Sequence, residues 1–417
     1  MRIAFLLNDL QLSGGVGVVV HHARELALRH GHDVTLVLVR EQEAPPWDFD
    51  GLAHLHVAGI DEARTRRFDV VVSTWWETVF PLFELSADRY VSFVQSLEDR
   101  FYPQGAPERI GAALTQDLPV AFVTEARWIA DTLVQMRPDA RCHLVRNGID
   151  KQVFASPETL DVRLGAPLRI VVEGNPDVWF KGVREAIDAV GEMREPRHVT
   201  LVSTTADERL RQAVDRVVGP LTHAEMAELY AESDVVLKLS RVEGMFGPPL
   251  EGFHMGATCV TTPVTGWDEY IEHGWNAMLV DWDDLPGTAR QLDLLARDRR
   301  LLHFLRTNAL ETARGWPSWE QAGSLMAGAL AAIHREPPAP AGAGAPQLMA
   351  DVSAALDRHR RDRQERDEFA RLAQPVLRVK ADRRVQRALR ARQHRLVRPF
   401  LRPLRPFMRR ARSRLLG

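Results

Sequence analysis

The sequence predicts two doubly wound α/β domains in tandem, followed by a basic helical tail. Three observations carry that expectation. Short β-branched runs alternate with longer helix-period segments, and the alternation restarts once past residue 167. From Arg371 to Gly417, 16 lysines and arginines meet a single acid, Asp382. Continuous apolar strands separated by helices belong to parallel sheets covered on both faces.

In the first half, strands are expected at 3–7, 34–39, 69–73, 91–95, 120–124 and 143–145, with helices such as 16–29 and 127–136 between them. A joint lies near 147–167. In the second half, strands are expected at 168–173, 199–203, 235–239, 259–262 and 277–280, and helices at 181–194, 224–232, 249–255 and 284–296. A last helix falls near 319–334. The stretch 336–347, EPPAPAGAGAPQ, is too rich in proline, alanine and glycine to build a core and reads as a linker. Residues 348–396 have few helix breakers, and Pro375 is expected to kink that helix. The boundaries drawn are 1–147, 148–334, the linker 336–347 and the tail 348–417.

Composition narrows the class. Of 417 residues, 45 % are hydrophobic and 26 % charged, which excludes wholesale disorder, collagen and a polytopic membrane protein. No run reaches the roughly 18 apolar residues of a membrane span. Cys142 and Cys259 make neither a disulfide framework nor a zinc site. The opening MRIAFLLNDL reads as a strand and not as a signal peptide, so a cytoplasmic, reducing location is expected. The net charge of −2 hides a tail (371–417) at +15 and a body at −17. Arginine outnumbers lysine 50 to four, a codon-bias signature that singles out Lys151, Lys181, Lys238 and Lys380.

Two segments carry chemistry. After the first strand, Ser13-Gly14-Gly15-Val16-Gly17 opens a helix at a sheet's carboxyl edge, where glycines admit a phosphate to free backbone N–H groups. A tight turn is the competing reading, because the full dinucleotide spacing is absent. The stronger segment is 240–251, SRVEGMFGPPLE. It leaves strand 235–239 and enters a helix at the prolines, which suit a first turn. Glu243 and Glu251, eight apart, can both face the crevice and accept hydrogen bonds from a sugar and a ribose. A solvated helix-surface acid is the plain alternative for Glu251.

Here the chain resembles a known family. Glu243 to Glu251 is similar to the E-x7-E signature of retaining GT-B glycosyltransferases, group 4. Val218-Gly219, Asp234, Gly256, the run 262–266, Gly274-Trp275-Asn276, the interdomain Asn147-Gly148-Ile149-Asp150 and the closing run 313–319 follow in the family's order. The likeness covers about residues 1–334. It implies a GT-B fold: an N-terminal Rossmann-like acceptor domain and a C-terminal Rossmann-like donor domain facing a cleft. It implies transfer of a sugar, with retention, from a nucleoside diphosphate sugar to a glycan or lipid-linked acceptor. It implies no cofactor and no metal.

Residue by residue, the resemblance implies that Glu251 holds the nucleotide ribose. Glu243 and the backbone of Gly244, Met245, Phe246 and Gly247 would hold the donor sugar, the Met245 and Phe246 side chains packing the loop. Lys181, in Phe180-Lys181-Gly182, would neutralise the leaving diphosphate. Gly14, Gly15 and Gly219 complete the donor set. Two departures matter. Pro176 stands where the family usually has an arginine, and Arg241 is the substitute expected. The segment 90–105, YVSFVQSLEDRFYPQG, resembles a branch that includes rhamnosyltransferases of bacterial surface polysaccharides. Gln95 then replaces a family histidine near the donor sugar. Glu98 becomes an acceptor contact or base, with a loop acid as the alternative.

Other features have simpler readings. Asp281-Trp282-Asp283 spells a D-x-D metal motif but is expected to cap the helix after it. His21 and His22 are expected to pack. Trp75 and Trp76 could stack on an acceptor sugar, though buried aromatics are commoner. Arginine mixed with Phe400, Leu401, Leu404 and Phe407 suits an anionic membrane surface better than nucleic acid, for which no recognition module is present. A peripheral site on the inner face of the membrane is therefore expected for the tail. Two rival functions stay open: a nucleotide-sugar epimerase of the same fold, and a non-catalytic membrane-tethered scaffold.

Overall fold

The computed structural model describes residues 1–42, 47–49, 51–162, 164–337 and 344–381. The first half runs β1 (Arg2–Leu7), α1 (Gly14–Leu28), β2 (Asp33–Leu38), β3 (His56–Gly59), α2 (Ile60–Arg64), β4 (Arg67–Ser73), β5 (Ser86–Val94), α3 (Pro107–Thr115), β6 (Ala121–Thr124), α4 (Arg127–Met136) and β7 (Cys142–Leu144). Its parallel sheet has the order β3-β2-β1-β4-β5-β6-β7. Strand β1, with Ile3 to Leu7 all buried, sits inside the sheet between Val34 of β2 and Val70 of β4.

The second half runs β8 (Leu168–Glu173), α5 (Val183–Gly191), β9 (Arg197–Val202), α6 (Glu208–Ala213), β10 (Arg216–Val218), α7 (His223–Glu232), β11 (Val235–Lys238), α8 (Gly247–His254), β12 (Thr258–Thr261), β13 (Ala277–Leu279), α9 (Leu285–Arg297) and α10 (Arg299–Gly315). Its sheet order is β10-β9-β8-β11-β12-β13. The order reverses between β8 and β11. In open parallel sheets that reversal opens a crevice beyond the carboxyl ends of the two strands. The two Rossmann-like layers are the GT-B arrangement expected from the sequence.

The expected strands are observed within a few residues of their bounds, but six elements were not anticipated. Strands β3 and β10 are short edge strands with little apolar pattern, and α2, α3 and α6 are short helices. Helix α10 escaped because no glycine or proline separates it from α9. Asp298 ends α9 and at the same time caps α10, accepting from the Arg300 and Leu301 N–H groups at 3.1 and 2.9 Å.

The last helix of this body, α11 (Trp319–Arg335), belongs to a different core from the one the 148–334 boundary implied. Met326, Leu330 and Ile333 pack among Phe5, Val20 and Val72 of the first layer. The chain returns there through a close crossing: Ile149 pairs with Ser318, and a Cβ on Gly148 would lie 2.4 Å from the Trp319 backbone. Ser318 and Gln321 form the capping box that starts the helix.

Met1–Met349 form one compact unit and Ala350–Gly417 a second. Of the second, the described part is the continuation of α12 (Ala345–Ala381), which runs through Pro375 and carries mostly exposed charged side chains up to residue 371. Half of the linker expected at 336–347, residues 338–343, and the tail from 382 onward lie outside the described residues. Among the described residues no helix is long and apolar enough to cross a membrane.

Candidate active site

The crevice between β8 and β11 is lined with charge. Strand β8 ends on Glu173 and β11 ends on Lys238. The Lys238 side chain is only 3 % exposed, and its Nζ donates to Glu173 Oε2 at 2.8 Å and lies 3.8 Å from Glu243 Oε1. The loop after β11 brings Glu243 back over the strand end, where Ser240 Oγ donates to Glu243 Oε1 at 2.8 Å. Lys181 Nζ donates to both Glu243 oxygens at 3.0 Å. Burial alone would raise the Glu173 carboxyl, yet the ammonium groups of Lys238 and Lys181 hold it below the usual range. Burial also opposes the charge on Lys238, but Glu173, Glu243 and Glu251 hold that ammonium above the ordinary lysine value.

Glu251 lies one turn into α8, with Oε1 3.6 Å from the place a Cβ on Gly247 would take. Its carboxyl is pushed up to about 7, first by burial and then by the negative Glu173, against the pull of Lys238. Lys181 falls just outside the α-helix that the sequence pattern places at 181–194. It ends a short 3₁₀ turn, Trp179–Lys181, and Gly182 then starts α5 with φ of 65°. A Cβ on Gly182 would sit 2.0 Å from the Leu239 carbonyl oxygen. Glycine therefore lets the Lys181 turn press against the end of β11.

The first layer closes the other side. Gln95, just past β5, donates from Nε2 to the Gly15 carbonyl at 3.2 Å. Gly14 and Gly15 form the start of α1, where Ser13 Oγ accepts from the Val16 N–H at 3.1 Å. Gly244 packs directly on this wall: a Cβ there would lie 1.7 Å from the Gln95 carbonyl oxygen. Trp128 Nε1 donates to the Gly244 carbonyl at 2.8 Å. The buried Glu125 accepts from the Met245 N–H at 2.9 Å and from Asn147 Nδ2 at 2.6 Å. Burial pushes the Glu125 carboxyl up to about 8, with those two donors opposing and Glu243 adding to the shift. Phe101 of the first layer stacks on Phe180 of the second at 5.0 Å, and Trp75 stacks behind Phe101 at 5.9 Å.

Several expected site residues lie outside this charged cluster. Arg241 pairs with Asp283 and reaches toward Glu185, while the second ammonium beside Glu243 is that of Lys238. The helix cap expected of Asp281 and Asp283 falls to Asp284, whose Oδ1 accepts from the Gly287 N–H at 2.8 Å. Glu98 is buried and accepts from the Trp76 backbone N–H. Burial first, and then Glu77 and Asp99, raise its carboxyl well above the usual range, and its hydrogen bond holds the Trp75–Trp76 turn. Gly219 follows β10, two strands out from β8, roughly 10 Å along the sheet at ordinary strand spacing. Phe246 is buried core, its carbonyl accepting from Tyr270 Oη at 2.6 Å. His22 packs as expected, 3.4 Å from Asn147 Oδ1, and burial lowers it to about 4. His21 stacks on Trp319.

Glu173, Lys238, Glu125 and Trp128 were not picked out as site residues from the sequence. For Lys238 a signal existed: one of four lysines, placed at the end of an otherwise apolar strand.

Residues 167–298 match the family model for glycosyl transferases group 1. That segment carries Lys181, Lys238, Glu243 and Glu251. The chain is 35 % identical over 98 residues to N-acetyl-alpha-D-glucosaminyl L-malate synthase of Bacillus anthracis, which covers 24 % of this chain and 26 % of that protein. It is 25 % identical over 220 residues to D-inositol 3-phosphate glycosyltransferase 1 of Catenulispora acidiphila, covering 46 % of this chain and 52 % of that protein. The matches thus span about a quarter and about half of these curated relatives. Among solved structures, Anabaena HepE in complex with UDP and glucose superposes with a TM-score of 0.65 at 16 % identity, over 80 % of this chain and 100 % of that one. The structural likeness extends the shared fold over both layers.

Proposed function

We propose that this chain is a glycosyltransferase that moves a sugar from a nucleoside diphosphate sugar to a glycan or lipid-linked acceptor. The observation that carries the reading is the charged cluster of Lys181, Lys238, Glu243 and Glu251 at the crevice between β8 and β11. A donor there meets complementary chemistry. Glu251 accepts from ribose hydroxyls, Glu243 and the loop 244–247 accept and donate to the sugar, and Lys181 faces the diphosphate. As the sugar–phosphate bond breaks, charge grows on the leaving diphosphate, and a preplaced ammonium stabilises it there. The two layers hold donor and acceptor together, which lowers the entropic part of the barrier. UDP is a sensible first nucleotide, because the Anabaena neighbour is solved with it.

Finer features belong to the same reading. Retention follows the E-x7-E resemblance. A rhamnosyl or related hexosyl donor, and a role in cell-surface polysaccharide assembly, follow the segment 90–105. The basic segment 371–417 is read as a contact with anionic lipid, each basic residue adding about 1 kcal/mol. Sedimentation with anionic vesicles, lost on truncation after Met349, tests that contact.

The deciding experiment is a panel of nucleoside diphosphate sugars scored for thermal stabilisation, hydrolysis and transfer. Stabilisation with turnover is the expected outcome. Stabilisation without turnover favours the scaffold, and release of an epimerised donor favours the epimerase.

A further inference from the structure

One peptide group of the loop between Glu243 and Gly247 is held at both ends by the other layer. Its carbonyl, that of Gly244, accepts from Trp128 Nε1 at 2.8 Å. Its N–H, that of Met245, donates to Glu125 Oε1 at 2.9 Å. Glu125 follows β6 and Trp128 opens α4, so both donor and acceptor come from one corner of the first layer. The grip is tight, because at Gly244 a Cβ would lie 1.7 Å from the Gln95 carbonyl and 2.6 Å from Glu125 Oε1.

Glu125 is itself anchored. Its Oε2 accepts from Asn147 Nδ2 at 2.6 Å, at the crossing where the chain passes between the layers. The Asn147 carbonyl accepts from Trp316 Nε1 at 2.9 Å, just before α11 returns to the first layer. Glu125 is only 4 % exposed, so water does not readily replace these partners.

We propose that Glu125 and Trp128 are positioning residues that fix the plane of the Gly244–Met245 peptide and thereby make recognition of the donor's sugar ring depend on the first layer. A peptide plane fixed at both ends sets the direction of the backbone on either side of it. Glu243 precedes that plane and the N–H groups of Phe246 and Gly247 follow it. These are the groups that meet the sugar's hydroxyls in the reading above, on which this inference rests. Glu251 stands on α8 and does not need the grip, so the nucleotide and the sugar are recognised through separable supports.

The test uses full-length protein, with Glu125→Ala, Glu125→Gln and Trp128→Phe. Gln keeps an acceptor for the Met245 N–H, and Phe removes only the indole donor while keeping an aromatic ring. Hydrogen–deuterium exchange at the Met245 amide reads the grip without any ligand. Exchange is expected to speed up about tenfold in Glu125→Ala, the loss of one hydrogen bond, and to return toward wild type in Glu125→Gln, with β11 amides unchanged. UDP and UDP-glucose binding reads the consequence. UDP affinity should stay within about twofold, while the preference for UDP-glucose over UDP falls about tenfold in Glu125→Ala and Trp128→Phe. Unchanged Met245 exchange in Glu125→Ala overturns the proposal, as does equal loss of UDP and UDP-glucose affinity. If the wild type binds neither probe, the donor assignment fails, and the exchange measurement still decides whether the first layer holds the loop.

Discussion

Lys181 Nζ lies 3.0 Å from each carboxylate oxygen of Glu243, so the two groups assigned to the diphosphate and the sugar neutralise each other. A donor must divide that pair, its phosphate taking the ammonium and its hydroxyls taking the carboxylate. Lys181→Ala should therefore lower kcat by about 10²-fold, as for other preorganised electrostatic contacts. Glu243→Ala should separate binding from turnover. It frees Lys181, so UDP should bind as well as to the wild type or better, while turnover collapses. Calorimetry with UDP beside steady-state rates decides this, and wild-type rates in Lys181→Ala would move the phosphate site elsewhere.

Glu251 gives the site a pH dependence. Its carboxyl titrates near 7 when folded and near 4.3 in an unfolded chain. Between those values the native state binds more protons than the unfolded state, so this group's contribution falls as pH rises from about 4.3 to 7 and is constant above. Glu251→Gln removes that loss. The stability difference between Glu251→Gln and wild type should shift in favour of the variant from pH 5 to pH 8 in urea unfolding. Ribose hydroxyls donate better to the ionised form, so wild-type nucleotide affinity should climb through pH 7. The variant should be flat with pH and weaker by about 1.5–3 kcal/mol at pH 8. A flat wild-type profile would remove Glu251 from the ribose.

Lys238 and Glu173 are a structural pair with a functional neighbour. Their ionised forms are favoured together, Lys238 raised and Glu173 lowered, so the pair's stabilisation holds from above the carboxyl range to below the lysine range. Lys238→Met removes the ammonium hydrogen-bonded to Glu173, leaving only the field of Lys181, and leaves Glu243 with one ammonium fewer. The expected cost is on the order of 2 kcal/mol at pH 7, less than for a fully buried pair because Glu173 is 31 % exposed. Adding Glu173→Gln should recover part of it. A double variant no more stable than Lys238→Met shows that the two are not coupled.

What the sequence made legible was local. The E-x7-E loop, the two prolines that open α8 and the apolar strands are each read within a dozen residues, and each appears where expected. The remainder depends on contacts between distant segments. Glu125 meets Met245 across 120 residues, and nothing near Glu125 announces that partner. Helix α11 has a clear apolar stripe, but periodicity does not say which core the stripe faces, and it faces the first layer. Arg241 meets Asp283 across 42 residues, and Lys238, in an otherwise apolar strand, lies beside Glu243, contacts that neither neighbourhood announces.

Gly182 offers the sharpest test of how backbone shape serves the site. Its φ of 65° is left-handed, a conformation that costs an L-residue roughly 1–2 kcal/mol. The clash adds to this, since a Cβ would lie 2.0 Å from the Leu239 carbonyl oxygen and 3.2 Å from the Leu239 Cβ. Backbone, unlike a flexible side-chain tip, cannot yield cheaply, so Gly182→Ala must push the Lys181 turn away from the end of β11. The Lys181–Glu243 contact then lengthens. The variant should lose stability and lose turnover nearly as far as Lys181→Ala. Gly191→Ala, in the same helix with nothing within 4 Å of the new Cβ, is the matched control and should leave turnover unchanged. Equal turnover in Gly182→Ala and Gly191→Ala would mean that Lys181 is placed by something other than the turn Gly182 permits.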